Sequence, residues 1–290
     1  MELPEMKETS AIWIENIIRD YVADSEDNSL KGNGDKAWED ALVGFSRGDD
    51  PLYSFFKSDI GSFFWTPEEI FSLSFPDTKV KVEELTVISW VLPQTESTKA
   101  DNRRESSLPA ERWVRSRNYG EDFSMKLARH VVSHLLDRGI QSLVPAQSPK
   151  WSWQESKKYG FASNWSERHA AYTSGLGTFG LCDGLITRKG KAMRCGSVIA
   201  RIDVSPTERP YNEPHAYCLF YTKGTCRKCI SRCPCGAITE DGHDKSKCKS
   251  YLFETVAPYA KSQFGIASYG CGLCQTGVPC ESRIPMATDL

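Results

Sequence analysis

The residues able to do chemistry crowd the C-terminal part of the chain. There are 11 cysteines; the first 181 residues contain none, and all but Cys182 and Cys195 lie at or after Cys218. They run Cys226-x2-Cys229-x3-Cys233-Pro234, then Cys248, then Cys271-x2-Cys274-x5-Cys280. Thiolates are soft ligands. A Cys-x2-Cys turn lets two sulfurs converge on one metal centre, and the Cys-Pro step carries the next thiolate toward a second one. The pattern suits two interleaved [4Fe-4S] clusters. One would take Cys226, Cys229, Cys280 and a fourth ligand from upstream; the other would take Cys233, Cys248, Cys271 and Cys274. A regular run of this kind would carry cysteine at position 223, where this chain has Lys223. Cys218 is the nearest replacement, and Cys235 is its rival. Cys182 and Cys195 fall outside the cluster region and read as small buried hydrophobes.

Two other uses of cysteine compete. A disulfide framework belongs to short exported chains, and the polar, acidic start MELPEMKETS is not a signal peptide. A single four-thiolate zinc site could be built from the two Cys-x2-Cys pairs, but it leaves Cys218, Cys233, Cys248 and Cys280 without a role. The chain has 290 residues, 40% of them hydrophobic and 26% charged, enough for two soluble domains. A net charge of -2 gives no global attraction to nucleic acid. No apolar run is long enough to span a membrane, and reduced thiols point to the cytoplasm.

The elements that must position these groups follow from periodicity. Ile14, Ile17, Ile18 and Tyr21 predict a helix over 10–23. Residues 30–50 are rich in Gly, Asp and Asn and read as a loop. Thr66 and Pro67 mark a helix start. The run LTVISWVL (85–92) predicts a buried strand. Residues 121–138 predict a helix ended near Gly139, with a strand from Ile140 to Val144. A short helix over 165–174 follows, then a hairpin over 184–202 turning at Lys189-Gly190. Pro206, Pro210 and Pro214 mark a linker, and 244–257 predicts a helix carrying Cys248 inward. The expected fold class is α+β: residues 1–210 as one domain, 211–290 as a dicluster ferredoxin-like domain.

Upstream of the cysteines stands Gly175-x-Gly177-x-x-Gly180. Its spacing matches a dinucleotide fingerprint, but it follows a helix rather than a strand. A close backbone approach to another large, flat ligand is the better reading. Taken with Glu167-Arg168, Cys226 to Pro234 with Ala237-Ile238, Cys248 near Tyr251-Leu252, and Tyr269-Gly270-Cys271-x2-Cys274-Gln275, the chain resembles the epoxyqueuosine reductase family, a cobalamin-dependent group related to reductive dehalogenases. The resemblance covers roughly residues 80–285. It implies a nitroreductase-like α/β sandwich that holds cobalamin against Gly175, Leu176, Gly177, Thr178, Phe179 and Gly180. It further implies two [4Fe-4S] clusters fed by an external ferredoxin- or flavodoxin-type donor, and reduction of a small molecule or a corrinoid protein. The position of that family's proton-donating aspartate holds Phe161 here, and Glu281 replaces the proline after the last cysteine. A substrate other than epoxyqueuosine tRNA is therefore expected, as is the absence of the tRNA-binding extension. An electron-transfer protein serving a partner's corrinoid is the alternative.

Near the glycine run, Glu167, His169 and Tyr172 are the candidate proton donors, with Tyr172 first. Residues 168 and 172 share a helix face, as do 169 and 172. Arg103, Arg104, Arg112, Arg115 and Arg117 form a basic stretch that would either be a solvated surface or meet an anionic group, on cobalamin, substrate or RNA.

Overall fold

The computed structural model describes residues 3–32 and 34–289, a mixed helix and sheet fold. In chain order the elements of the first region are α1 (Leu3–Asp24), β1 (Leu42–Arg47), α2 (Pro51–Ile60), α3 (Pro67–Ser74), β2 (Leu85–Pro93), α4 (Glu96–Arg104), α5 (Glu111–Leu136), β3 (Ser142–Leu143), β4 (Trp153–Ser156), β5 (Gly160–Ser163), α6 (Glu167–Thr173), β6 (Gly177–Phe179), β7 (Leu185–Thr187) and β8 (Met193–Arg201). The cysteine-rich region adds α7 (Leu219–Lys223), α8 (Lys228–Ser231), β9 (Ile238–Thr239), β10 (Gly242–His243), α9 (Lys245–Tyr251) and α10 (Ala257–Phe264).

The centre is a four-stranded antiparallel sheet in the order β1-β2-β8-β3. Its β2 strand is buried at every position, which is why LTVISWVLP lacks polar alternation. Both faces are covered. On one, α1 and α5 pack Ile14, Ile18, Phe123, Leu127 and Val131 against Ile88, Trp90 and Val198. On the other, α2, α3 and α6 pack Phe56, Ile70, Phe71 and Ala171 against Val87, Val91 and Ile199. Trp90 is wholly buried, and its register partner across the strands is Gly196, where a Cβ would lie 2.5 Å from the indole. Burying one such side chain contributes roughly 2–3 kcal/mol, and the glycine supplies its space.

Several expectations hold. Thr66 caps α3 through a capping box closed by Glu69. The 10–23 helix lies within α1, the 85–92 strand within β2, and the 165–174 helix contains α6. Others need correction. Residues 30–50 are not all loop, because β1 is one of the sheet's two edge strands: a short apolar run inside a polar stretch hid it. Residues 184–202 are not one hairpin. The turn at Gly190 exists, but β7 pairs with β6, while β8 pairs with β2 and β3. Part of the glycine run, Gly177–Phe179, is thus itself strand β6, and the residues after the turn enter the centre of the sheet. The 121–138 helix is the second half of the longer α5, whose Gly120 lets Trp38 lie against it, 2.7 Å from a would-be Cβ. The expected linker is pinned down: Thr207 N–H bonds Phe45 O at 2.9 Å, Arg209 pairs with Asp50, and Tyr211 enters the core. Among the described residues no helix is long and apolar enough to cross a membrane.

Candidate metal centre and adjoining cleft

Two cavities border the cysteine-rich region. The smaller is lined by Cys218, Cys226, Cys229 and Cys280, with Lys191. Cys218 stands at the N-terminal end of α7, which Gly224 ends in a left-handed conformation; Cys229 lies in α8. Of the two rivals for the upstream position, Cys218 shares this cavity with the other three. Cys235 lines the larger cleft, its sulfur 3.7 Å from that of Cys233.

The larger cleft is lined by Cys233, Cys248, Cys271 and Cys274, the second expected set, and has a volume of about 240 Å³. Asp244 caps α9 by accepting from Lys247 N–H at 2.9 Å, which sets the helix that carries Cys248. Trp38, Trp113 and Tyr269 form apolar walls, and Arg117, Arg168 and Arg194 bring positive charge. Among the described residues no three Cys, His, Asp or Glu side chains close on a point that one metal ion could fill. The thiols instead line two separate spaces. Eight soft donors in two sets of four are chemically suited to two iron–sulfur cubes, whose thiolates stand around a cage rather than a single ion.

One thiol was missed from the sequence. Cys182 joins this group: it lines the larger cleft, has the thiols of Cys229 and Cys274 as hydrogen-bonding neighbours, and accepts from Lys191 Nζ at 3.2 Å. The turn between β6 and β7 carries it there from well outside the motif, so no spacing signal marks it. Cys195 is different. It belongs to the sheet's core, and burial pushes its thiol up to about 12.

Helices α4 and α5 hold the ligand-bearing loops. Asn102, fully buried, donates to Thr276 Oγ1 at 3.1 Å and to Cys271 O at 3.4 Å, and accepts from Ala110 N–H at 3.0 Å. Arg232 donates to Thr276 O at 3.0 Å and to Glu105 O at 2.6 Å. The unusual five-residue spacer before Cys280 also has a physical account. Glu281 is buried, accepts from Gly277 N–H at 2.5 Å, and pairs with Arg103, folding the spacer back on itself. Two backbone bonds then clasp the end of this loop to the first region: Lys191 N–H to Cys280 O at 2.9 Å and Ala192 N–H to Glu281 O at 3.2 Å.

The candidate acids and the glycine run lie elsewhere. Gly175 has φ +78°, and a Cβ there would meet Glu208 O at 2.7 Å; one on Gly177 would meet Ile186 O at 2.3 Å. These glycines serve chain-on-chain packing. None of residues 175–180 lines the larger cleft, and only Gly180 touches the smaller cavity. Tyr172 is buried against Phe56, Phe179 and Tyr211, and burial raises its pKa. His169 sits among Phe56, Phe64 and Phe179, with Nδ1 2.8 Å from Ser166 Oγ; burial, helped by the Arg168 charge, lowers it to about 3, so it is neutral at physiological pH. Glu167 accepts from Ser197 Oγ at 2.5 Å, and Ser197 Oγ in turn accepts from Trp165 Nε1 at 3.1 Å. Burial raises Glu167 to about 8 against those hydrogen bonds. It therefore carries a proton at neutral pH, as the Tyr172 hydroxyl does. None of the three lines the cleft; their neighbour on α6, Arg168, does. The basic stretch resolves into ion pairs: Arg103 with Glu96 and Glu281, Arg104 with Asp101, Arg112 with Asp35 and Asp101, Arg115 with Glu111, and Arg117 with Glu121. Only Arg117 of these reaches the cleft. Arg168 and Arg194, which the sequence did not single out, supply its remaining guanidinium groups.

No family model matches the chain. An epoxyqueuosine reductase of Gloeobacter violaceus is 35% identical over 126 residues, 40% of this chain and 36% of its own length. Another from Bacillus anthracis is 25% identical over 174 residues, 56% of this chain and 39% of its own. The match thus spans less than two fifths of either curated relative. Among solved structures, the catabolic reductive dehalogenase NpRdhA in complex with 3-bromo-4-hydroxybenzoic acid aligns with 99% of this chain and 39% of its own, at TM-score 0.51 and 16% identity. Epoxyqueuosine reductase with an epoxyqueuosine-modified tRNA-Tyr stem loop aligns with 95% of this chain and 67% of its own, at TM-score 0.50 and 17% identity. The fold is similar to that of both groups, and the sequence likeness is to epoxyqueuosine reductases.

Proposed function

We propose that this chain, a divergent relative of epoxyqueuosine reductases, is an iron–sulfur oxidoreductase in which two [4Fe-4S] clusters relay electrons to a corrinoid that reduces a substrate other than epoxyqueuosine tRNA. The observation that carries the reading is the placement of the two expected four-cysteine sets in two adjoining cavities: Cys218, Cys226, Cys229 and Cys280 line the smaller, and Cys233, Cys248, Cys271 and Cys274 line the larger, together with Cys182 and Cys235. Cys218, Cys226, Cys229 and Cys280 would hold one cluster, and Cys233, Cys248, Cys271 and Cys274 the other. An external low-potential donor of the ferredoxin or flavodoxin type would supply the electrons. When bound, a corrinoid supplies a low-valent cobalt centre; the protein's part is orientation and electrostatics. Here that part falls to the aromatic walls of the cleft and to Arg117, Arg168 and Arg194, whose charge favours an anionic group.

One observation favours a second reading. The cleft's 240 Å³ is below the roughly 300–1,000 Å³ of ordinary small-molecule sites, and a corrinoid is larger than the ligands such sites hold. A protein whose clusters reduce a corrinoid held by a partner needs no larger cleft. Purification without oxygen, iron and sulfide analysis, and titration with cobalamin followed by absorption separate the two. About eight irons with a bound, base-off corrinoid support the reductase. About eight irons without corrinoid support the electron-transfer protein. Absence of iron and sulfide overturns both.

A further inference from the structure

Among the described residues three charged side chains are buried: Lys99, Lys191 and Glu281. Two have an opposite charge at hand, Lys99 with Glu96 at 3.2 Å and Glu281 with Arg103. Lys191 is only 2% exposed, and no carboxylate among the described residues pairs with it. Its stem packs against Gly184, where a Cβ would stand 3.4 Å from Lys191 Cδ. Its ammonium donates to Cys182 Sγ at 3.2 Å, and the groups near it that can turn negative are the thiols of Cys182, Cys280, Cys229 and Cys274. These include members of both four-thiol sets. An ammonium removed from water without an anion is destabilising by several kcal/mol, so this position needs negative charge nearby.

We propose that Lys191 is an electrostatic partner of the iron–sulfur sites, foremost the one framed by Cys218, Cys226, Cys229 and Cys280, and that Cys182 holds its ammonium in place between the two cages. This rests on the cluster reading above. An ammonium has three N–H donors; one goes to Cys182, and two remain for cluster or cysteinyl sulfur. Net charge and hydrogen bonds to sulfur both set cluster potentials. One-electron reduction by an external reductant adds one negative charge to the cluster and breaks no bond, and the lysine keeps its proton throughout. A fixed cation stabilises the reduced form more than the oxidised one and raises the potential. Lys191 is thus a positioning residue for charge, acting through the clusters.

The test uses full-length protein reconstituted anaerobically with iron and sulfide. Wild type, Lys191→Met, Lys191→Arg and Cys182→Ser are compared by iron and sulfide content and by redox titration with dithionite, followed by electron paramagnetic resonance. The expected result is a shift of at least one midpoint potential to more negative values in Lys191→Met, with Lys191→Arg close to wild type. Loss of iron in Lys191→Met that Lys191→Arg restores also supports the charge role. Full iron content with unchanged potentials in Lys191→Met overturns it, as does equal iron loss in both Lys191 variants, which would mean packing alone. Iron loss in Cys182→Ser makes Cys182 a ligand and overturns its role as the lysine's acceptor. Wild-type protein that takes up no iron overturns the cluster reading itself, and this inference with it.

Discussion

Glu167, His169 and Tyr172 show how little a side chain's type says about its role until its surroundings are known. All three lie on α6, yet it is Arg168 of that helix that reaches the cleft. Sequence periodicity could place them on one helix but not choose the face, because the helix is short and buried on several sides. Their ionisation follows from burial, which no pattern reports. Glu167 is raised from 4.5 to about 8, so the folded protein keeps a proton that the unfolded chain releases. Its stabilising contribution is complete below pH 4.5, erodes as pH rises, and is lost on passing about pH 8. Glu167→Gln removes that dependence. Urea unfolding of both proteins across this window should show the variant gaining on wild type as pH rises; a difference independent of pH would mean the carboxyl is ionised in the fold. Tyr172→Phe, at a hydroxyl that lines neither cavity, should leave iron content and turnover unchanged, whereas a drop in turnover would restore it as a proton donor.

At the scale of elements, the cysteine spacings were legible, and so were the helices and buried strands with strong periodicity. What was not legible was pairing. The β6–β7 partnership and the entry of β8 into the sheet are long-range choices, made where the apolar surfaces of α5 and α6 leave room. The loop from Cys271 to Glu281 is another such case, because its shape is set by residues far upstream. Gly272 has φ +66°, and a Cβ there would fall 1.8 Å from the Trp113 indole. Gly272→Ala should therefore destabilise by about 3 kcal/mol, through strain and displacement of Trp113 together. Glu281→Ala leaves Gly277 N–H without its acceptor inside a packed loop and Arg103 with Glu96 as its remaining partner. A loss of about 2 kcal/mol is expected, with iron leaving the Cys280 site first. Denaturant midpoints and iron analysis measure both, and a Glu281→Ala protein of wild-type stability and iron content would show that the spacer holds its shape without the carboxylate.

Over the whole molecule, a sheet covered on both faces supports a cysteine-rich region that supplies donors but little apolar core of its own. The two cavities are distinct, so damage to one ligand set should leave the other occupied. Cys226→Ser and Cys271→Ser should each retain about half of the iron, and the double variant none. Cys218→Ser should lose iron where Cys235→Ser keeps it; the reverse would exchange their roles. The division at residue 210 was drawn from three prolines, and proline marks where regular structure stops without saying whether the chain leaves the surface. Here it stays. Tyr211 is buried beside Tyr172, donates to Tyr172 O at 2.6 Å, and accepts from Gly177 N–H at 3.3 Å. A chain emerging from the ribosome therefore releases all of β1 to β8 before the residue that plugs their core has been made. The first region must wait, unfinished, for the start of the second, and a translational pause just after Arg201 would hold the protein with that core open and prone to aggregation.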